Sequence, residues 1–174
     1  DVWDLIFANI RFDIVRHDMQ AEIGACTIGE RRFVELLGKY GRDHFEAHRD
    51  ALFDATRRMM EAEIGKIPNG RYSGEGQVYY DGRHEGSTFT IRVDIDVDDR
   101  KIRFDYSRTD AQTNGFVNGT FTSSASATIL TLLQMINPDI PHNEGMVEPV
   151  EIVIPEGTIL NASYPKATTF GNHL

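Results

Sequence analysis

The sequence predicts an α+β (mixed α/β) fold, with N-terminal helices and a helical hairpin followed by an antiparallel-rich sheet and one further packed helix. Three observations carry this. Apolar side chains recur at three- and four-residue steps through the first third, as one buried helix face requires. After Pro68-Asn69-Gly70 the period drops to two, the alternation of a strand. Helical spacing returns once, at Ala125, Ile129, Leu132 and Ile136. The change of period separates a helical region, 1-67, from a sheet-plus-helix region, 68-174, which together form one domain or part of a larger subunit.

The first helix is read from Trp3, Ile6 and Ile10, with Ile14 extending the stripe and Met19 and Ile23 forming a second apolar group. Thr27 followed by Glu30 has the spacing of a capping box and places a new helix start there. Phe33, Leu36, Leu37 and Tyr40 give that helix one face, and Gly41 suits its stop. Asp43 and Glu46 repeat the box pattern, and Phe45, Leu52, Ala55 and Met59 keep one side apolar as far as Ile64 and Gly65. The two helices are expected to form the hairpin. A strand is expected to begin at Val78 and Tyr80. Phe89 to Val97 and Ile102 to Tyr106 alternate on either side of Asp98-Asp99-Arg100 and read as a hairpin with one buried face. Asn114-Gly115 and Asn118-Gly119 lie in a turn-rich stretch and suit positive φ. A helix follows from near Thr122 to Asn137-Pro138, and Val150, Ile152 and Ile154 form a last strand before the turn at Pro155-Glu156-Gly157.

Composition narrows the function classes. The chain has 174 residues, 18 basic and 27 acidic, and its formal charge of -9 opposes binding to a phosphate backbone. Nucleic acid is excluded as a partner on this ground. No apolar run is long enough to span a bilayer, no signal segment opens the chain, and a cytoplasmic location is expected. Cys26 is a single cysteine flanked by apolar residues and is expected to be buried and inert. The chain opens at Asp1 without a methionine and reads as a piece of something longer.

Few residues suggest chemistry by pattern alone. Asp94, Asp96, Asp98 and Asp99 resemble a hard-cation cluster, but Arg100 and Lys101 stand where a calcium loop needs glycine and glutamate, so an exposed hairpin face is the preferred reading. His44 and His48 share a helix side, yet no glutamate directly follows the first histidine, and a core-edge position for His48 is preferred. No metal site is expected. The segment Asn114 to Ala125 leads a glycine-rich loop into a helix N-terminus and could receive an anion, but it is neither a P-loop nor a dinucleotide fingerprint, and a plain connecting loop is the preferred reading. Ser123, Ser124 and Ser126 lie in no nucleophile elbow, and no catalytic residue is named.

Several motifs resemble a known family. Asn137-Pro-Asp-Ile-Pro-His-Asn-Glu-Gly145 and Glu148-Pro-Val-Glu-Ile-Val-Ile-Pro-Glu-Gly-Thr-Ile-Leu-Asn161 resemble the hydantoinase B/oxoprolinase pattern Asp-Pro-Asp-Ile-Pro-x-Asn-x-Gly followed by Pro-Glu-Gly-Ser-x-Leu-Asn-Pro. Phe104 to Asn118 is similar to the family's Asp-Phe-Thr-Gly-Ser-x-Pro-Gln-x-x-Gly-x-x-Asn, with Arg108 in place of the glycine and Asp110 in place of the proline. Ile67-Pro-Asn-Gly-Arg-Tyr72 and Gly29-Glu-Arg-Arg32 also fit. The resemblance implies an internal segment of the large B-type subunit of an ATP-dependent cyclic-amide hydrolase, of N-methylhydantoinase or 5-oxoprolinase type. It implies an A-type ATP-binding partner in a hetero-oligomer and a small-molecule substrate. Its alternatives are an ATP-dependent ketone carboxylase of acetone or acetophenone type and a non-catalytic assembly domain. No cofactor is expected on this segment: ATP would sit on the partner and a divalent metal elsewhere in the full-length subunit. Asn118 and Asn172 match family positions, where a structural role in holding turns is the preferred reading over substrate contact; with Gly119 they are the candidate substrate-binding residues.

Overall fold

The structure, a computed structural model, describes residues 1–10 and 12–169. The chain divides into two compact units, Asp1–Asp50 and Ala51–Leu174.

The first unit is helical. Helix α1 (Val2–Ala8) is capped by Asp1, whose carboxylate accepts from the Asp4 amide, and the Trp3 and Phe7 rings stack one turn apart. Helix α2 (Ile14–Tyr40) is continuous, which corrects the expected start at Thr27. Inside the helix the Thr27 hydroxyl has another partner: it donates to the Ile23 carbonyl at 3.0 Å, so nothing there interrupts the ladder. Gly41 does stop α2, at φ 79°, with its amide on the Leu37 carbonyl. Helix α3 (Arg42–Ile64) follows at once, with Asp43 inside its first turn rather than capping it. Phe33 meets Phe45 edge to face. No side chain of α2 is buried, so Ile23, Ile28, Phe33 and Val34 stand exposed. Cys26 is exposed in mid-helix, not buried as its apolar flanks suggested.

The second unit holds one four-stranded sheet in the order β1 (Gly70–Val78), β2 (Phe89–Asp98), β3 (Lys101–Asp105), β4 (Val150–Val153). The first three pair antiparallel and β4 joins β3 in parallel, which requires a crossover; helix α4 (Phe121–Ile136) supplies it. Asp98 pairs with Lys101 across the tight turn, and Asp99 takes φ 54° there while its amide donates to the Asn69 side chain. Strand β1 ends at Val78, where the sequence placed its start. Gly70, Gly74, Gly76 and the polar residues between them carry no apolar alternation because both faces of this edge strand are exposed.

The core joins Met60 and Ile64 of α3, Val97, Ile102 and Phe104 of the sheet, Ile129, Leu132 and Leu133 of α4, and Ile140. On the polar side, Arg108 grips Asp94 with two bonds of 2.6 Å, and Arg71 and Arg103 reach Asp96. Asp110 accepts from the Thr90 amide and pairs with Arg92 at 2.8 Å. The two departures from the family pattern, Arg108 and Asp110, therefore strap their loop to β2.

The Asn137–Gly145 motif is structural. Asn143 accepts from the Gly145 amide and donates to Thr56 of α3, and Asn137 donates to Glu63. A Cβ on Gly145 would fall 2.0 Å from the Phe53 carbonyl oxygen, so backbone meets backbone there. Gly145→Ala is expected to force the two apart and cost about 1–3 kcal/mol, the range for overpacking a filled site. Urea unfolding measures this, and an unchanged midpoint would refute the close approach.

Candidate functional site

Three loops of the second unit meet around one buried carboxylate. Asp81 is 1% exposed. Its Oδ1 accepts from the amides of Arg83 at 2.8 Å and His84 at 2.6 Å; its Oδ2 accepts from the Thr113 hydroxyl at 2.6 Å and faces His84 Nδ1 at 2.8 Å. An ionised carboxylate can only accept, so His84 Nδ1 carries the proton and the other ring nitrogen is left to the outside. The His84 side chain and then the Thr113 hydroxyl hold the Asp81 carboxyl well below the usual carboxylate range, against the opposing effect of burial. The Asp81 carbonyl accepts from the Phe116 amide at 2.9 Å, which ties the 81–87 loop to the 113–118 loop a second time.

Asn118 performs the same service one step on. It is 0% exposed; its Oδ1 accepts from the Thr113 amide, and its Nδ2 donates to the carbonyls of Thr113, Gly115 and, at 2.9 Å, Ala167. Gly115 and Gly119 do not have positive φ, contrary to the turn-based expectation. Close approach demands glycine instead. A Cβ on Gly115 would sit 2.0 Å from the Asp81 carbonyl oxygen, and one on Gly119 would sit 2.9 Å from the Ser124 hydroxyl and 3.3 Å from the Leu160 carbonyl. The Gly119 amide donates to the Ile159 carbonyl at 2.6 Å and its carbonyl accepts from Ala162, so the Pro155–Asn161 motif is clipped to the same loop. Asn172 lies outside the described residues.

The three loops enclose a polar cavity of about 340 Å³ lined by Arg83, His84, Asn114, Pro165, Lys166 and Ala167. Lys166 donates to the Asn114 side-chain carbonyl. A larger apolar groove of about 830 Å³ lies between the sheet and α4, bordered by Ile91, Val93, Ile95, Leu130 and Met135. Two of its serines are already engaged: Ser123 completes the capping box with Thr120, and Ser124 donates to the Leu160 carbonyl. Helix α4 thus caps its own N-terminus.

The remaining candidates from the sequence fall outside this cluster. His48 is exposed rather than at a core edge, and its Nδ1 is turned onto the His44 carbonyl at 2.8 Å. Asp94 and Asp96 face arginines. Among the described residues no group of three or more His, Cys, Asp or Glu side chains could hold a metal ion. Asp81, Arg83, His84, Thr113 and Lys166 were missed from the sequence. Asp81-Gly82 signals a turn, but the partners that make the cluster lie far along the chain.

Sheet, crossover helix and cross-tied loops define a mixed α+β fold whose recognisable motifs build its frame. The chain belongs to the hydantoinase B/oxoprolinase family, whose profile matches residues 1–174. It is 32% identical to the B-type component of a D-/L-hydantoinase of Pseudomonas sp. (strain NS671), covering 96% of this chain and 30% of that protein. The crystal structure of ATP-dependent caprolactamase from Pseudomonas jessenii superposes with a TM-score of 0.86 at 30% identity, covering 99% of this chain and 30% of that one. The nucleotide-free structure of acetone carboxylase shares the fold, with a TM-score of 0.72 at 18% identity over 89% of this chain and 22% of that one. The chain therefore spans under a third of the length of the proteins it matches. Among the described residues no helix is long and apolar enough to cross a membrane.

A carboxyl with a depressed folded value stabilises the fold above its unfolded value, and that contribution fades as pH falls below it. For Asp81 the loss is expected to begin below about pH 4, the ordinary aspartate value. Asp81→Asn should flatten this part of the stability profile. Unfolding midpoints of the two proteins between pH 7 and pH 2.5 give the comparison; parallel profiles would contradict the assignment.

Proposed function

We propose that this chain is a segment of the B-type subunit of an ATP-dependent cyclic-amide hydrolase of the N-methylhydantoinase or 5-oxoprolinase type. The observation that carries the reading is the match to ATP-dependent caprolactamase over 99% of the chain at 30% identity. ATP binds an A-type partner subunit in a cytoplasmic hetero-oligomer, and the divalent metal is held by a part of the full-length protein outside these residues. The small-molecule substrate is a cyclic amide. Ketone carboxylation is the second reading, favoured by the fold shared with acetone carboxylase, but at 18% identity that likeness speaks for the fold alone.

Exposed apolar surface supports the assembly. Ile23, Ile28 and Val34 on α2, and the open groove beside α4, are faces that a larger protein covers. Asn118 and Gly119 serve the substrate site from beneath: the Asn118 amide is spent on its own loop and on the Ala167 segment, and its effect on a ligand passes through the loops it holds. No catalytic residue is assigned to this segment.

The full-length subunit with its A-type partner is expected to release ADP in response to hydantoin, 5-oxoproline or caprolactam. The 174-residue segment alone should show no turnover, because it lacks a phosphate-binding loop and a metal-ligand cluster among its described residues. ADP release on acetone with bicarbonate, but on no cyclic amide, would replace the first reading with the second. Turnover by the segment, abolished by one substitution within it, would overturn its supporting role.

A further inference from the structure

We propose that Arg83, His84, Asn114 and Lys166 form a binding site for a small oxyanion, a carboxylate or a phosphoryl group. The proposal is independent of the reaction proposed above. The cavity is of about 340 Å³, large enough for such a group with part of the molecule that bears it, and among the described residues no carboxylate lines it. In a chain of formal charge -9, two permanent cations and an imidazole converge on this cleft.

The groups are placed for a ligand rather than for one another. Several arginines elsewhere in the chain are paired: Arg57 with Asp54 and Glu61, Arg92 with Asp110, Arg103 with Asp105 and Glu151, Arg108 with Asp94. The Arg83 guanidinium has no ion pair among the described residues, although its own amide is fixed by Asp81. Among the described residues the Lys166 ammonium meets the neutral Asn114 side chain and no carboxylate. Two donors of full charge thus flank the cavity with no ion-pair partner among the described residues, and oxyanions satisfy such donors with short charge-assisted bonds. His84 is oriented from behind: buried Asp81 takes its Nδ1, and the 54% exposed ring directs its other face outward. The loops that present these residues are cross-tied by Asp81, Thr113 and Asn118, so the donors are held in place before a ligand arrives.

The test uses the full-length subunit in complex with its partner, titrated calorimetrically with inorganic phosphate and, separately, with glutarate. Saturable binding of one of them is expected, and the anion that binds more tightly identifies phosphoryl or carboxylate as the natural group. Arg83→Ala should weaken that binding at least about tenfold, the loss for one charged hydrogen-bonded contact. Because the Arg83 side chain is exposed and has no ion pair among the described residues, the unfolding midpoint of Arg83→Ala should stay unchanged. Arg83→Lys should restore part of the affinity. Lys166→Ala should weaken binding as well, whereas Arg49→Ala, distant in sequence and paired with Asp50, should not. No saturable binding of either anion, or binding equally strong in Arg83→Ala and Lys166→Ala, would overturn the proposal.

Discussion

A carboxylate removed from water must be surrounded by donors, and in the second unit that requirement organises the loops. Asp81 is buried in a turn whose own amides supply two of its bonds, but two amides do not complete the shell. Thr113 and His84 fill the rest, and Thr113 comes from 32 residues away. Once Thr113 is fixed, Asn118 can reach the backbone on both sides of it and then the carbonyl of Ala167, 49 residues on. One buried charge and one buried amide thereby convert three loops of the sheet unit into a single frame. The arrangement is costly to break by halves, since removing one partner strands the others without water.

The motifs by which the family is recognised serve this frame and the core beneath it. Asn143 and Gly145 fit a turn against α3, Ile140 fills the core, and Gly157 at φ 86° opens the turn that Asn161 closes. Arg108 and Asp110, where this chain departs from the pattern, replace a glycine and a proline with ion pairs to β2. The groups with unspent charge, Arg83 and Lys166, belong to none of the most specific motifs.

Much of the fold was legible because it rests on period. The α4 face, the β2–β3 hairpin and the Gly41 stop depend on neighbours within a few residues, which spacing reports directly. Thr27-Glu30 misled because a threonine hydroxyl serves equally well on the carbonyl one turn back. Strand β1 was truncated because an exposed edge needs no apolar alternation. Gly115 and Gly119 were singled out for their dihedral freedom, whereas the structure needs them for the room left by a missing side chain. The Asp81 cluster was invisible for a simpler reason: its members share no period and no spacing, only a place in three dimensions. Nothing in a window of ten residues distinguishes Asp81 from the exposed aspartates of β2.

Amide hydrogen exchange on the full-length subunit tests most directly whether these loops are one cooperative unit. The amides of His84, Thr113, Phe116 and Gly119 are all donated within the frame. They are expected to open together, with one common free energy in the native protein, and to lose protection together in Asn118→Ala. Independent opening, with the 81–87 loop exchanging freely while Thr113 and Phe116 stay protected, would contradict the view that Asp81 and Asn118 bind the loops into one body.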